Sequence, residues 1–198
     1  MNFFNEIKKA FIKNKNVLLL AFLIFIIPFL IGFLFKPYFY NIFEPIYNHL
    51  SQQLKEGVIE FSFAGIFLNN LAVLCRTFIL GAIFGISAIL LLYHALSSGY
   101  FLGGEQIFRK LLLVIPHGIF EFSSLIIGTA AGFLLFKFLY NFIKANPLKG
   151  FHDAFDKNFE IIYHSLILFG VAVVLMVIAG FIEVYLTILI ALFVLSLL

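Results

Sequence analysis

His117 and Glu121 stand one helical turn apart inside "VIPHGIFEFSSLIIGTAAG", the otherwise apolar stretch from Val114 to Gly132. Residues at i and i+4 share a helix face. An imidazole and a carboxylate so placed can pair with each other, line a route for protons or ions, or offer two ligands to a metal. A closed zinc site needs four ligands, so no metal and no cofactor is expected from this pair. Four more polar residues interrupt other apolar runs: Asn69, Asn70, Arg76 and Glu183. Insertion scales charge about 2.5–3.5 kcal/mol for an ionised side chain at the centre of a membrane span. Arg76, Glu121 and Glu183, each isolated, would together cost on the order of 8–10 kcal/mol, comparable with the whole stability of a typical fold. The expectation is therefore that His117, Glu121, Arg76 and Glu183, with Asn69 and Asn70, meet in a buried polar cluster. Such a cluster can be a structural ion pair, a proton or ion path, or a metal site.

The elements that must hold these residues are membrane helices. Of 198 residues 63% are hydrophobic and 12% charged, far from a soluble domain's near-even split and quarter of charges. The apolar residues form unbroken runs of spanning length, and the alternation that a β-barrel requires is lacking. The fold class expected is all-α: a single integral membrane domain over residues 1–198, a polytopic helical bundle of about five spans with short amphipathic interfacial helices. The first run, Val17 to Phe35, is followed by "KPYFY" instead of a small-residue cleavage site, which favours a retained anchor. Residues 61–102 are apolar for about twice the length a span needs and are expected to bend into two. The last run, Ile161 to Leu198, suits a span with a trailing half-helix.

Three segments suit the membrane surface. Residues 1–16 place Phe4, Ile7 and Phe11 opposite Lys8, Lys9, Lys13 and Lys15, the pattern of a helix lying on anionic lipid. Residues 36–60 carry Tyr38, Tyr40 and Tyr47 and, after Pro45, a face of Ile46, Leu50, Leu54 and Val58. Residues 137–160 form an interfacial loop with Phe151, Phe155 and Phe159 four apart. If the N-terminus and 137–160 lie inside, eight lysines are inside against Lys36, Lys55, Arg109 and Lys110 outside. The opposite placement of that loop gives six and six, so the positive-inside rule favours a cytoplasmic N-terminus in the cell membrane and a C-terminus outside.

Pro116 suits the first position of a helix, where its missing N–H costs nothing. Gly128 and Gly132, with Ala131, give that helix a small-residue side in phase with Glu121, Gly118 is a further small residue there, and Gly81/Gly85 and Gly99/Gly103 repeat the GxxxG spacing. These glycines are expected to pack helices, and their faces make a homodimer the simplest oligomer. Cys75, the single cysteine, excludes an internal disulfide and reads as packing. His49, His94, His152 and His164 fall near expected interfaces. No HExxH, GxSxG or phosphate-cradling loop is present, so no enzymatic activity is expected. The lysines border the spans, which makes lipids the expected partners and excludes nucleic acid as a first choice.

Three blocks together carry a family resemblance: "FLNNLAVLCRTFILGAIFGISAILLLYHALSSGYFLG", "PHGIFEFSSLIIGTAAG" and "AGFIEVYLT". In this order, from Phe67 to Thr187, the chain resembles the stage II sporulation protein M family. The most specific part is PHGxxE, here Pro116, His117, Gly118 and Glu121. Asn69 and Asn70 match the family's paired asparagines, Gly81 and Gly85 its GxxxG, and Ile182 and Glu183 its late IE. Ser98-Gly99 departs from the family's frequent Asn-Gly. The resemblance implies a multispanning membrane protein without established catalysis, whose namesake organises a peptidoglycan-degrading machine during engulfment. It thus favours a role in organising or docking partner proteins in envelope remodelling. A permease for a small solute, ion or lipid, using the polar cluster, is the alternative.

Overall fold

The computed structural model describes residues 3–57, 62–83, 85–145, 150–187 and 189–190. These form seven α-helices: α1 (Phe3–Lys13), α2 (Lys15–Leu34), α3 (Lys36–Lys55), α4 (Phe63–Leu80), α5 (Ile86–Leu102), α6 (Ile107–Lys144) and α7 (Phe151–Phe181). A π-helical turn, Ile182–Thr187, continues α7. The described residues contain no strand, and the chain is the all-α bundle expected. Among the described residues four helices are long and apolar enough to cross a membrane: α2, α4, α6 and the continuous helix Phe151–Thr187. The run 61–102 does divide in two, and its second half, α5, is a shorter apolar helix of 17 residues, about 25 Å long. The division falls at Gly81–Gly85, where Gly85 takes φ +82°, a left-handed conformation that favours glycine.

Contacts at the two extremes fix the alternation of the helices. At one extreme Lys13 pairs with Glu160, and Asn14 Nδ2 lies 3.2 Å from His164 Nδ1, which brings the α1–α2 junction against α7. At the other, Tyr47 of α3 donates to the Ser97 carbonyl at 3.0 Å, and the Lys36 amine donates to the Gly103 carbonyl at 3.2 Å. Successive apolar helices therefore run in alternate directions between an α1 end and an α3 end.

Between lipid-facing helices there is no hydrophobic driving force, so close backbone approach and hydrogen bonds must hold the bundle. Both are present. A Cβ on Gly99 would run into the Phe29 carbonyl, and one on Gly32 into the Leu96 carbonyl, so α2 and α5 meet backbone to backbone. Gly103 extends that contact onto Phe33. A Cβ on Gly81 would stand 2.5 Å from Gly132 Cα, which makes a second close crossing of α4 on α6. Gly128 seats the Leu74 side chain, beside Ala172. Between α6 and α7, the Ser124 hydroxyl donates to the Ala172 carbonyl at 2.7 Å and Ser165 to the Ala131 carbonyl at 2.8 Å.

Several expectations change. Gly85 is a turn residue, and among the described residues nothing stands within 4 Å of where its Cβ would lie, so the Gly81/Gly85 spacing joins a crossing to a turn. Pro116 is the tenth residue of α6 and not its first. The helix starts earlier because the stop is set by Gly104 and Gln106, both at positive φ. A proline inside a membrane helix is tolerated where neighbours satisfy the freed backbone. Thr187 Oγ1 stands 3.5 Å from the Leu113 carbonyl, next to the Leu112 carbonyl that Pro116 leaves without its donor. Gly118 is buried, but the atoms nearest a Cβ there belong to Val114 and Phe122 of its own helix.

The surface segments also differ. In α3 the docking residues are Phe43, 1% exposed, and Tyr47, whose ring stacks on Tyr100 at 6.0 Å. Ile46 and Leu50 turn outward instead, because the aromatic rings bury more surface and Tyr47 gains a hydrogen-bond partner. The Leu54 side chain and Val58 lie outside the described residues. The α1 helix docks through Ala10, with Glu6 ion-paired to Lys9 at 2.7 Å, while Phe4 is exposed. Residues 137–160 are no separate loop. Lys137 and Lys144 belong to α6, and Phe151 and Phe155 open α7 with their rings against Phe142 (5.4 Å) and Phe138 (6.0 Å). Lys149 and the trailing residues 191–198 lie outside the described residues.

Candidate functional site

The π-helical turn decides the site. A π turn shifts the side chains that follow it out of α-helical phase and is frequent at functional positions. Here it carries Glu183 toward α6, where His117 and Glu121 share a face. One ligand atom from each of His117, Glu121 and Glu183 lies within 4.8 Å of the others. His117 Nδ1 is 3.2 Å from Thr187 Oγ1, and that hydroxyl reaches the Ile182 carbonyl at 3.4 Å.

Glu121 also lines a cavity of about 190 Å³ bordered by four helices. Its walls are Asn69, Asn70 and Val73 of α4, His94 of α5, Glu121 and Leu125 of α6, and Met176 of α7. The Gly81–Gly132 crossing brings α4 close enough to α6 to place the asparagines there. At 1.5 Å per residue, Asn69 lies about 10 Å along α4 from the α3 end, and His94 about 12 Å along α5 from the same end. A hydrocarbon core is about 30 Å thick, so the cavity sits within its α3-side half. Glu121 joins the two polar groups: the His–Glu–Glu cluster on one side and the Asn–Asn–His wall on the other.

The expected cluster is thus brought together except for one member. Arg76 is exposed, and among the described residues it forms no ion pair. On α4 the inward stripe is Asn70, Leu74, Thr77 and Gly81, and Arg76 stands about 100° off it. It lies four residues from the α1 end of α4, where a long cationic side chain can reach the headgroups. Asn69 is more exposed than Asn70, though both border the cavity. His94 and Thr187 are the residues missed by the sequence. A histidine inside the run "AILLLYHAL" was the same signal that drew attention to Asn69, Asn70 and Arg76. Thr187 had no such mark. His164 is also not at an open interface: it is 4% exposed, between Asn14 and Glu160.

Two carboxylates therefore face each other inside a membrane bundle, and among the described residues neither has an ion pair. A proton or a bound cation can relieve their repulsion. The arrangement can hold a proton between acids, accept a cation, or pass either toward the asparagine-lined cavity.

Comparison with known proteins places the chain. A family model described as "Stage II sporulation protein M" matches residues 9–188. The chain belongs to that family. Two relatives from Methanocaldococcus jannaschii are similar to it. One, "Uncharacterized protein MJ0706", is 29% identical over 190 residues, 90% of this chain and 84% of the relative. The other, "Uncharacterized protein MJ0793", is 31% identical over 135 residues, 65% of this chain and 72% of the relative. No solved structure matches the chain. The matched region of the family includes every residue of the site.

Proposed function

We propose that this stage II sporulation protein M family member is a non-enzymatic permease that binds protons or small cations at Glu121 and passes them across the cell membrane. The observation that carries this reading is the cavity of about 190 Å³ beside Glu121. Ionisable groups within membrane spans commonly mark ion and proton routes, and here they adjoin a space lined by amides and an imidazole. A purely structural cluster would have its charges matched by partners, whereas Glu121 and Glu183 face each other. The excess of lysines at the α1 end supports a cytoplasmic N-terminus.

The test is flux. The chain reconstituted in liposomes with a trapped pH dye should acidify the lumen under an imposed gradient, and Glu121→Gln should remove most of that flux. Flux equal to that of empty liposomes, for protons and for sodium, potassium and zinc ions alike, would overturn the reading.

A second reading, the organisation of partner proteins at the envelope, is favoured by α3. It turns Tyr38 (83% exposed) and Ile42 (56% exposed) outward at one end of the bundle. Stable co-purification with membrane partners that is lost on replacing Tyr38 would support it. A homodimer belongs to the same reading.

A further inference from the structure

We infer that His117, Glu121 and Glu183 form a binding site for one divalent transition-metal ion of the zinc class. This inference rests on the reading of the Glu121 centre as a cation site, but not on passage of the ion.

Charge comes first. Arg76, the cation expected to offset the two glutamates, is exposed. Among the described residues no lysine or arginine pairs with either carboxylate, so their negative charge is without a resident counter-ion. A divalent cation would neutralise both acids at once, whereas a single proton would neutralise one.

The donor set then selects the ion. Calcium takes six to eight oxygens, and magnesium keeps most of its waters in an octahedral shell. Imidazole nitrogen with carboxylate oxygen suits zinc, and also iron or manganese. Three protein ligands leave a fourth position for a water or another small ligand, unlike the four protein ligands of closed structural zinc sites. That fourth position has a neighbour, the cavity behind Glu121, which has room for water and amide groups.

The hydrogen bonds set the imidazole for this role. Thr187 has one hydroxyl proton, and the Ile182 and Leu113 carbonyls, at 3.4 and 3.5 Å, can only accept it. With that proton given to a carbonyl, Thr187 Oγ1 can accept from His117 Nδ1–H across 3.2 Å. With the proton on Nδ1, the Nε2 lone pair is free for a metal. A hydrogen bond on the second ring nitrogen is the usual support for a metal-bound histidine. The 4.8 Å spread of the ligand atoms exceeds the roughly 3.4 Å between ligands of a tetrahedral zinc with bonds near 2.1 Å. Rotation of the two glutamate side chains covers that difference, because carboxylates on flexible stems close around an ion.

The experiment uses the full chain in lipid nanodiscs, stripped with a chelator and titrated with Co²⁺ as a visible probe and then with Zn²⁺. About one Zn²⁺ should bind per chain, with Co²⁺ giving the intense visible bands of a four-coordinate site. His117→Ala and Glu183→Gln should each weaken binding by at least about 100-fold, and Thr187→Val, which leaves every ligand in place, by about 10-fold. Arg76→Gln should bind as the wild type does. Zinc should raise the melting temperature of the wild type and not that of the ligand variants. If a ligand variant fails to fold, Thr187→Val carries the test, since a ten-fold loss there is specific to the imidazole. A folded, stripped wild type that takes up neither ion, or His117→Ala, Glu183→Gln and Thr187→Val all binding as tightly as the wild type, would overturn the inference. Zinc binding without flux would keep this site and remove the permease. Proton flux by stripped protein that binds no zinc would do the reverse.

Discussion

Two histidines on neighbouring long helices stand in opposite circumstances. At the α1 end, His164 receives an Asn14 amide at 3.2 Å, Asn14 also donates to the Ala10 carbonyl at 2.7 Å, and Glu160 is paired with Lys13. Each polar group there has a partner from another segment, and together they fasten α1 and α2 to α7. Toward the α3 end, His117 has its threonine, but Glu121 and Glu183 have each other. The first region is a joint; the second holds like charges together at a cost. Natural proteins keep such costs where activity requires them. The difference is one of compensation, since both regions carry a histidine and glutamate on α6 or α7.

The largest expected effect comes from separating the helices on which the second region depends. Gly81→Val places a branched side chain where Gly132 Cα stands 2.5 Å from the added Cβ, and both sides of that contact are backbone. Helices α4 and α6 must move apart, costing about 3 kcal/mol. The cavity loses its Asn69–Asn70 wall, while the Asn14–His164 contact, carried by the α1–α2 junction and α7, persists. A drop in thermal midpoint in detergent together with loss of flux is expected. Unchanged stability would mean that the crossing is not close.

A smaller effect of opposite sign distinguishes the two regions more sharply. Glu183→Gln removes one of two facing carboxylates and keeps the shape. In chelator-treated protein this should raise stability by about 1 kcal/mol, because neutralising a buried like-charge contact relieves repulsion. Flux and metal binding should fall. Denaturant unfolding of the stripped protein measures the first quantity. A loss of stability instead would show that Glu183 serves structure, as Glu160 does.

The fold was legible because the spans are long apolar runs and because the 61–102 length, about twice that of a span, demanded a break, which falls at Gly81–Gly85. The Glu121 centre was legible in part, since PHGxxE fixes an i, i+4 face whatever the neighbouring helix. What the sequence withheld was phase and partnership. Arg76 is one residue from the stripe of Asn70, Leu74, Thr77 and Gly81, and a single residue is 100° of helix. Which side faces inward was decided by Gly81 meeting Gly132, a contact between segments 51 residues apart. Gly32 had no GxxxG partner in its own helix, so its crossing with α5 left no spacing to read. The π turn at Ile182–Thr187 has no glycine or proline to announce it, and with it Thr187 went unmarked. His94 was visible as a polar break in an apolar run, but its depth was set by the turn at Gly81–Gly85 that starts α5.

The smallest effect belongs to the joint. Glu160 is paired with Lys13, both side chains more than half exposed, at 61% and 55%. Exposed pairs contribute little and are screened by salt. Glu160→Gln should therefore cost less than about 1 kcal/mol, and raising the salt concentration should shrink the difference from the wild type further. The direction matters more than the size. Both substitutions replace a glutamate by its neutral isostere near a histidine, on α7 or the π turn that continues it. One should lower stability slightly and leave flux intact, while the other raises stability and removes flux. Only a difference in compensation predicts opposite signs from the same chemical change. If both variants destabilise the stripped protein, the glutamates of the Glu121 centre are held by partners just as Glu160 is, and the case for an incoming cation loses its electrostatic basis.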